Sequence, residues 1–372
     1  MEKTYKSLSR KNKMKRLEDI AIIFFKLGIV AFGGPAAHVA MMEDEFVTKR
    51  AWLSQQKLLD LISVTHLIPG PNSTELALFI GLHHGGPLGL LLAGFMFILP
   101  AMVLTMIFAY VYVTYGSLPQ LAGVMVAIKP VIIVIILSAI LRLGKKVVSS
   151  KEKIIFIFIV STLYLLGVSE FILIFSSGIL FSIYTNRNKI KRKLYLVEPV
   201  SLSLIFLIFV KIGAILYGSG YVLLAFLEKE LVVDRGILSM QQLIDSIAIG
   251  EFTPGPVLTT SSFIGYILNG VLGGVVATIG IFLPSFIIVL LISRFVDNLR
   301  DSKLVSGFLD GVNVASVVLM AFVTIKLGIN SIVSPFTTVI FIIALTLKYK
   351  YNTNSAALVV GSGMVGYLVS HL

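Results

Sequence analysis

The chain has 372 residues, of which 57% are hydrophobic and 13% are charged, and its mean hydropathy is +0.96. These values exclude a soluble globular protein and indicate an integral membrane protein. The 31 basic and 19 acidic residues give a net charge of +12, but the basic residues cluster in short segments between apolar runs. That placement is typical of membrane loops, so nucleic acid is not an expected partner. Cysteine is absent, which excludes disulfides and thiolate metal sites.

Apolar runs of the length that crosses a bilayer, about 20 residues, follow one another along the chain. We place spans at 18–42, 58–82, 87–113, 119–143, 153–184, 200–227, 243–268, 271–293, 308–329, 331–347 and 355–371. The run at 153–184 is interrupted by GVSE and fits either one crossing or two. The sequence therefore predicts an all-α polytopic membrane protein with about 11–13 transmembrane segments. No small-residue cleavage site follows the basic N-terminus, so we expect no removable signal peptide.

The second half of the chain repeats the first half at a nearly constant offset. Glycines, prolines and charged residues recur at one spacing, which shortens by a single position after the Pro-Gly-Pro motif: Lys26 and Lys211, Asp60 and Asp245, Pro69–Pro71 and Pro254–Pro256, Gly81 and Gly265, Pro100 and Pro284. Shared hydrophobicity does not produce such matches, so the chain consists of two homologous halves. We divide it into a basic cytoplasmic tail (1–17), an N-terminal transport half (18–184), a basic linker (185–193) and a C-terminal transport half (194–372).

The loop charges bear on whether the halves are parallel or inverted. The basic loop follows the fourth span in the first half and the third span in the second half. Because basic loops stay on the cytoplasmic side, this exchange favours inverted repeats. A double crossing at 153–184 would make the halves parallel, and a single crossing would put the basic linker outside. Inversion therefore also requires an additional crossing or re-entrant segment near the junction.

A helix-breaking motif occurs at matching positions of the two halves, in HLIPGPNST at 66–74 and in EFTPGPVLT at 251–259. Irregular backbone at membrane depth is tolerated only where it is buried in protein or lines a watery cavity. After Pro71 and Pro256 the chain can restart as a helix whose first N–H groups and hydroxyls face an anion. The alternative is that the prolines only kink packed helices, but their duplication favours a transport site.

The predicted substrate-binding residues are Lys26, Lys211, Gly33, Gly34, Gly70, Pro71, Asn72, Ser73, Thr74, Gly255, Pro256, Thr259 and Thr260. The two lysines lie within the first apolar run of each half, where a charge is costly and suggests a function. Two ammonium groups near a pseudo-twofold axis would suit a divalent anion. Snorkelling of Lys26 to the interface explains it equally well.

Several acidic residues and one histidine are candidates for coupling or gating: Glu75, Glu251, His66, Glu43, Glu45, Glu228 and Glu230. Glu75 and Glu251 flank the two Pro-Gly-Pro motifs, where a carboxylate can carry a coupling proton. His66 occupies the position that matches Glu251 and can titrate near neutral pH. Interfacial salt bridges explain the other four acids best, and alternating gates are the functional alternative.

We find no nucleotide-binding fingerprint, nucleophile elbow or metal-ligand pattern, so we expect no cofactor, no metal and no enzymatic activity. The motifs FFKLGIVAFGGPAAH, RAWLSQQKLLDL, IPGPNSTELALFIG, GGPLG and FILP together resemble the chromate ion transporter family, whose long members have two homologous halves. The second half departs from the pattern, with YGSGY in place of FGGPA and Ile237 in place of Trp52.

The resemblance implies a multi-pass plasma-membrane protein that exports chromate, with sulfate as an isosteric competitor or as the physiological substrate. A secondary active oxyanion transporter is thus the leading hypothesis, and a homodimer is its candidate assembly. Two alternatives stay open. One is a passive anion channel built on the same breaks, and the other is a membrane-embedded enzyme or scramblase that acts on phosphate head groups.

Overall fold

The computed structural model describes residues 5, 8–31, 35–65, 68–116, 119–147, 151–166, 168, 172–174, 176–177, 201–216, 222–293 and 303–370. Over these ranges the secondary structure is helical, without strands, as predicted. The first half contains α1 (Arg10–Val30), α2 (Pro35–Glu43), α3 (Gln55–Thr65), α4 (Asn72–Tyr115), α5 (Pro119–Val147) and α6 (Lys151–Leu165). The second half contains α7 (Leu202–Ile215), α8 (Leu223–Leu227), α9 (Met240–Phe252), α10 (Thr260–Ile292), α11 (Lys303–Ser331), α12 (Pro335–Lys350) and α13 (Ser355–Val369).

The helices of the two halves correspond in order, α1 with α7 through α6 with α12. Even local backbone details recur at the offset that relates the two sequences. The Trp52 N–H donates to the Phe46 carbonyl at 2.8 Å, and the Ile237 N–H donates to the Leu231 carbonyl at 2.9 Å. The prediction of two homologous halves is therefore confirmed at the level of single hydrogen bonds.

The helices α4 and α10 each fold back on themselves. A straight helix of the 44 residues in α4 would be about 66 Å long, twice the hydrocarbon thickness of a bilayer. Gly86 interrupts α4 with φ 65° and ψ −159°, and Gly270 interrupts α10 with φ 56° and ψ −153°. Around the first turn Gly81 and Gly89 pack backbone to backbone, a contact that neither position tolerates with a side chain. Each element is thus a short helix followed by a tight turn and a longer helix that packs back along it.

Within the described ranges, four helical stretches are long and apolar enough to cross a membrane, Asn72–Tyr115, Leu121–Leu141, Val257–Ile292 and Asp310–Ser331. Shorter apolar helices include Leu202–Ile215 and Ala357–Val369. The predicted spans 18–42 and 58–82 each consist of two helices separated by a break. The linker 185–193 and much of the run 153–184 lie outside the described residues, so the number of crossings stays a prediction.

Packing places the breaks between the two halves. In each half the first helix packs along the folded-back helix, α1 on α4 and α7 on α10, and α4 and α10 pack against each other. One core cluster covers α1 to α4, with Val289 of α10 inserted into it, and a larger one joins α5 to the second half. The halves therefore share their hydrophobic core, and α4 and α10 bring the helix starts to the shared interface.

Candidate functional site

Each half contains two breaks between its helices. The first follows α1 at Ala31 or α7 at Leu216, and the second is the Pro-Gly-Pro motif. The central glycines of the motifs have positive φ, 137° at Gly70 and 95° at Gly255. Other residues rarely adopt such backbone conformations. Glycine is therefore required at these two positions.

The breaks of the two halves are hydrogen-bonded to each other in a crossed pattern. The Gly70 N–H donates to the Leu216 carbonyl at 2.6 Å, and the Gly255 N–H donates to the Ala31 carbonyl at 2.8 Å. Each bond joins the Pro-Gly-Pro motif of one half to the end of the first helix of the other half. Each break of one half is therefore in direct contact with a break of the other half.

The glycines also lie against the long arms of the folded-back helices. A side chain at Gly70 would collide with the Glu75 carboxylate and with the Ser285 hydroxyl of α10. A side chain at Gly255 would collide with Ala101 of α4, the position equivalent to Ser285. The two environments are thus related by the repeat but differ in polarity among the described residues, because Gly70 adjoins a carboxylate and a hydroxyl and Gly255 adjoins the Ala101 methyl group.

Most of the buried polar side-chain atoms that lack a hydrogen bond of normal geometry in the described part of the chain lie at the helix starts or, for Ser285, on the arm of α10 that packs beside them. These are Thr74 Oγ1, both Glu75 carboxylate oxygens, Ser261 Oγ and Ser285 Oγ. Glu75 and Ser261 are fully buried, and the Ser285 hydroxyl lies beside the Glu75 carboxyl. Because buried polar groups are normally satisfied, such a cluster is typical of a site that takes a ligand or water.

A buried histidine joins the two breaks of the first half. His38 Nε2 donates to the Ala31 carbonyl at 2.9 Å, and His38 Nδ1 lies 3.1 Å from Ser73 Oγ. A neutral His38 thus carries its proton on Nε2 and accepts from the Ser73 hydroxyl. His38 is not among the residues predicted from the sequence, although a histidine three residues after Gly-Gly-Pro in an apolar run is a visible signal. Leu223 occupies the equivalent position, so this link exists in one half only.

The helix starts themselves differ between the halves. In α4 the N–H groups of Thr74 and Glu75 both donate to the Pro71 carbonyl, as in an ordinary first turn. Before α10 the chain forms a 3-10 turn at Val257–Thr259. There the Thr259 hydroxyl donates to the Pro256 carbonyl and the Thr260 hydroxyl to the Val257 carbonyl, each at 2.8 Å. The predicted donors of the second half therefore contact the backbone in this structure.

The two predicted lysines have different surroundings. The Lys26 side chain is exposed on α1, whereas the Lys211 ammonium forms an ion pair with buried Glu230. Lys26 lies five residues before Ala31, and Lys211 lies five residues before Leu216, the residues whose carbonyls accept the crossed hydrogen bonds. Five residues correspond to about 7.5 Å along a helix. Whether they bind substrate stays a prediction.

The four acidic residues near the ends of α2 and α8 have polar partners. Glu45 accepts from Arg50 Nε at 2.6 Å, and in the second half Glu230 lies 3.4 Å from Arg235 Nε. Glu228 pairs with Lys326 at 2.9 Å. Glu43 accepts from the Gln55 amide at 2.8 Å. These contacts match the salt-bridge interpretation for three of the acids, and a gating role stays a prediction.

Of the other predicted residues, Glu251 lies half-buried at the end of α9. Gly33, Gly34 and His66 lie outside the described residues. In the ranges that are described, no group of three or more histidine or acidic side chains is arranged to hold a metal ion.

Comparison with known proteins decides the family. The chromate transporter family model matches the chain twice, at residues 19–182 and 203–367. The chain belongs to the chromate transporter family. The double match confirms both the resemblance carried by the motifs and the division into two homologous halves. Members of the family are membrane transporters, and together with the apolar helices this identifies a multi-pass protein of the plasma membrane.

Full-length relatives support the assignment. An uncharacterised transporter of Methanocaldococcus jannaschii is 28% identical over 99% of this chain and 98% of its own length. A probable chromate transport protein of Synechococcus elongatus is 29% identical over 90% of both chains. The chromate transport protein of Cupriavidus metallidurans is 27% identical over 95% of this chain and 94% of its own. No solved structure matches the chain significantly.

Proposed function

We propose that this protein is a secondary active transporter of tetrahedral oxyanions, with chromate efflux as its activity and sulfate as a competitor or physiological substrate. The crossed hydrogen bonds between the breaks carry this proposal, because together with the His38 bridge from Ala31 to Ser73 they link helix starts from different halves. Names of two full-length relatives support chromate as the cargo. Helix starts suit anions since their N–H groups and dipoles point outward.

In this proposal the oxyanion binds between Pro71 and Pro256, near the bilayer midplane. Backbone N–H groups after Pro71 and the hydroxyls of Thr74, Ser261 and Ser285 donate to its oxygens. These hydroxyls are among the buried groups that lack a hydrogen bond of normal geometry in the described structure. Lys26 and Lys211 offset the charge of the dianion, and Lys211 does so after release from Glu230.

Glu75 is the strongest candidate for the coupling proton. A buried carboxylate without a cationic partner is costly in a membrane. The carboxyl group also adjoins Gly70 and Ser285, so its charge opposes an oxyanion bound there. Protonation would remove that repulsion, and anion and proton would then be carried together. Glu251 and His66 remain alternative coupling groups.

Alternating access follows if the halves are inverted repeats, as the exchanged basic loops favour. The two halves would then rock against each other around the shared breaks, with the acidic clusters after α2 and α8 as gates on opposite faces. A homodimer remains the predicted assembly.

An uptake assay in proteoliposomes tests the function. We expect saturable uptake of radiolabelled chromate and sulfate, stimulation by a pH gradient, and counterflow from preloaded vesicles. Molybdate and phosphate in the same assay measure selectivity among tetrahedral oxyanions. Linear flux without counterflow would instead indicate the passive channel. Turnover of a phospholipid substrate in detergent would indicate the enzyme, since it needs no sealed compartment.

A further inference from the structure

A second polar cluster lies away from the Pro-Gly-Pro motifs, and sequence analysis did not assign it. The Asp245 carboxylate on α9 lies 3.0 Å from Lys129 Nζ on α5 and accepts a 2.8 Å hydrogen bond from the Tyr112 hydroxyl on α4. Lys129 is 6% exposed and Asp245 is 2% exposed. Two donors of the first half thus converge on one carboxylate of the second half.

The cluster borders a cavity of about 530 Å³ at the end of the molecule where α4 leads into α5. Its lining includes Tyr112, Gly116, Lys129, Gln241, Gln242 and Asp245. Since a water molecule takes about 30 Å³ in the liquid, the space admits an oxyanion with several waters. The polar side chains that face it supply an ammonium, a phenolic hydroxyl and amide groups.

The helix α9 connects this cavity to the central breaks. From Asp245 to Phe252, its last residue, the helix rises about 10 Å. The second Pro-Gly-Pro motif begins two residues later. The cavity therefore lies where an anion would pass on its way to or from the proposed central site.

The fold does not require this ion pair, because the residues at the equivalent positions of the two halves do not form one. Asn313 occupies the position equivalent to Lys129 in the second half. Asp60, the equivalent of Asp245, is half-buried and accepts from Gln56 of its own helix at 3.1 Å. A buried ion pair is also weak support for stability, since desolvation offsets most of its attraction. Ligand chemistry therefore explains the pair better than stability does.

A carboxylate and an inorganic oxyanion are equivalent to these donors, because both present negatively charged oxygen acceptors. We propose that Lys129 and Tyr112 form a second oxyanion site at a mouth of the pathway, which Asp245 occupies as a tethered competitor in this structure. An arriving oxyanion takes the ammonium and the hydroxyl, and the displaced carboxylate turns into the watery part of the cavity. This inference rests on the proposed transport of oxyanions.

Substitution of the two ion-pair partners tests the inference because it predicts opposite effects. The measurement is the Kd of radiolabelled chromate and of sulfate for the purified full chain, with the KM of uptake in proteoliposomes. Asp245→Asn removes the competitor, and if the carboxylate occupies the site about 90% of the time, Kd falls about tenfold. Lys129→Met removes the main ligand and raises Kd and KM. Asp60→Asn, the matched control in the first half, leaves Kd unchanged.

Tyr112→Phe is a second variant that keeps the tyrosine shape and does not depend on the ion pair for folding. It removes one donor from the oxyanion and from the competing Asp245 carboxylate alike, so it raises Kd less than Lys129→Met does. The inference is overturned if Kd rises in Asp245→Asn as well as in Lys129→Met and Tyr112→Phe, or if Kd changes in none of these three variants. In either case, saturable uptake by the wild-type chain leaves the proposed function intact. A wild-type chain that neither binds nor transports chromate or sulfate overturns the proposed function itself.

Discussion

At the residue scale, Glu75 is the most unusual group in the central site. Its side chain is fully buried and its carboxylate oxygens have no hydrogen bond of normal geometry to any described residue. Thr260 stands at the matching position of the second half, so the repeat has kept one carboxyl and not two. In the proposed mechanism this single carboxyl carries the proton that accompanies the anion.

The change Glu75→Gln keeps the size of the side chain and removes its ability to bind and release a proton. We expect stimulation of chromate uptake by a pH gradient to disappear, while chromate exchange between equal solutions stays within about twofold of wild type. Proteoliposomes with and without a gradient measure both. Glu18→Gln, a change of an exposed carboxylate on α1, is the control and keeps its stimulation. Gradient-driven uptake by Glu75→Gln at the wild-type rate would exclude this coupling role.

At the element scale, much of the architecture could be predicted from the apolar runs and from the prolines and glycines that interrupt them. The Pro-Gly-Pro motifs predicted helix breaks, and the structure has a break at each of them. The positions Gly86 and Gly270 were predicted between spans, and there α4 and α10 turn back. Proline and glycine carry such information locally, because their effect on the backbone does not depend on distant contacts.

Contacts between halves could not be predicted in the same way. Nothing in the sequence near Gly70 indicates that its N–H binds the Leu216 carbonyl, since this depends on the packing of four separate elements. The same holds for Lys129, which looks like an isolated lysine in an apolar run until α9 brings Asp245 beside it. Charged partners that lie far apart in the sequence give no local signal.

At the scale of the whole molecule, the two halves meet at one set of breaks, and the proposed alternating access requires that the repeats are inverted. Lys49 and Asp234 are equivalent positions of the two halves, with side chains 60% and 44% exposed after α2 and α8. In inverted repeats they lie on opposite faces of the membrane, and in parallel repeats they lie on the same face.

The absence of cysteine from the chain makes this testable by single substitutions. We expect an impermeant maleimide, added to sealed vesicles of one orientation, to label only one of Lys49→Cys and Asp234→Cys. Permeabilised vesicles control for reactivity and should label both. Equal labelling of both variants in sealed vesicles would establish parallel halves and remove the rocking mechanism.

The central claim is that Pro-Gly-Pro motifs of both halves build one oxyanion site, and it is tested most directly by chromate uptake with alanine at each motif glycine. Gly70→Ala and Gly255→Ala each introduce a side chain at positive φ and against the opposite half. Gly236→Ala is the matched control, because Gly236 also has positive φ, 59°, but has open space around it. We predict that uptake falls by more than about tenfold in Gly70→Ala and in Gly255→Ala and stays near wild type in Gly236→Ala. Wild-type uptake by either motif variant would contradict a single site shared by the two halves.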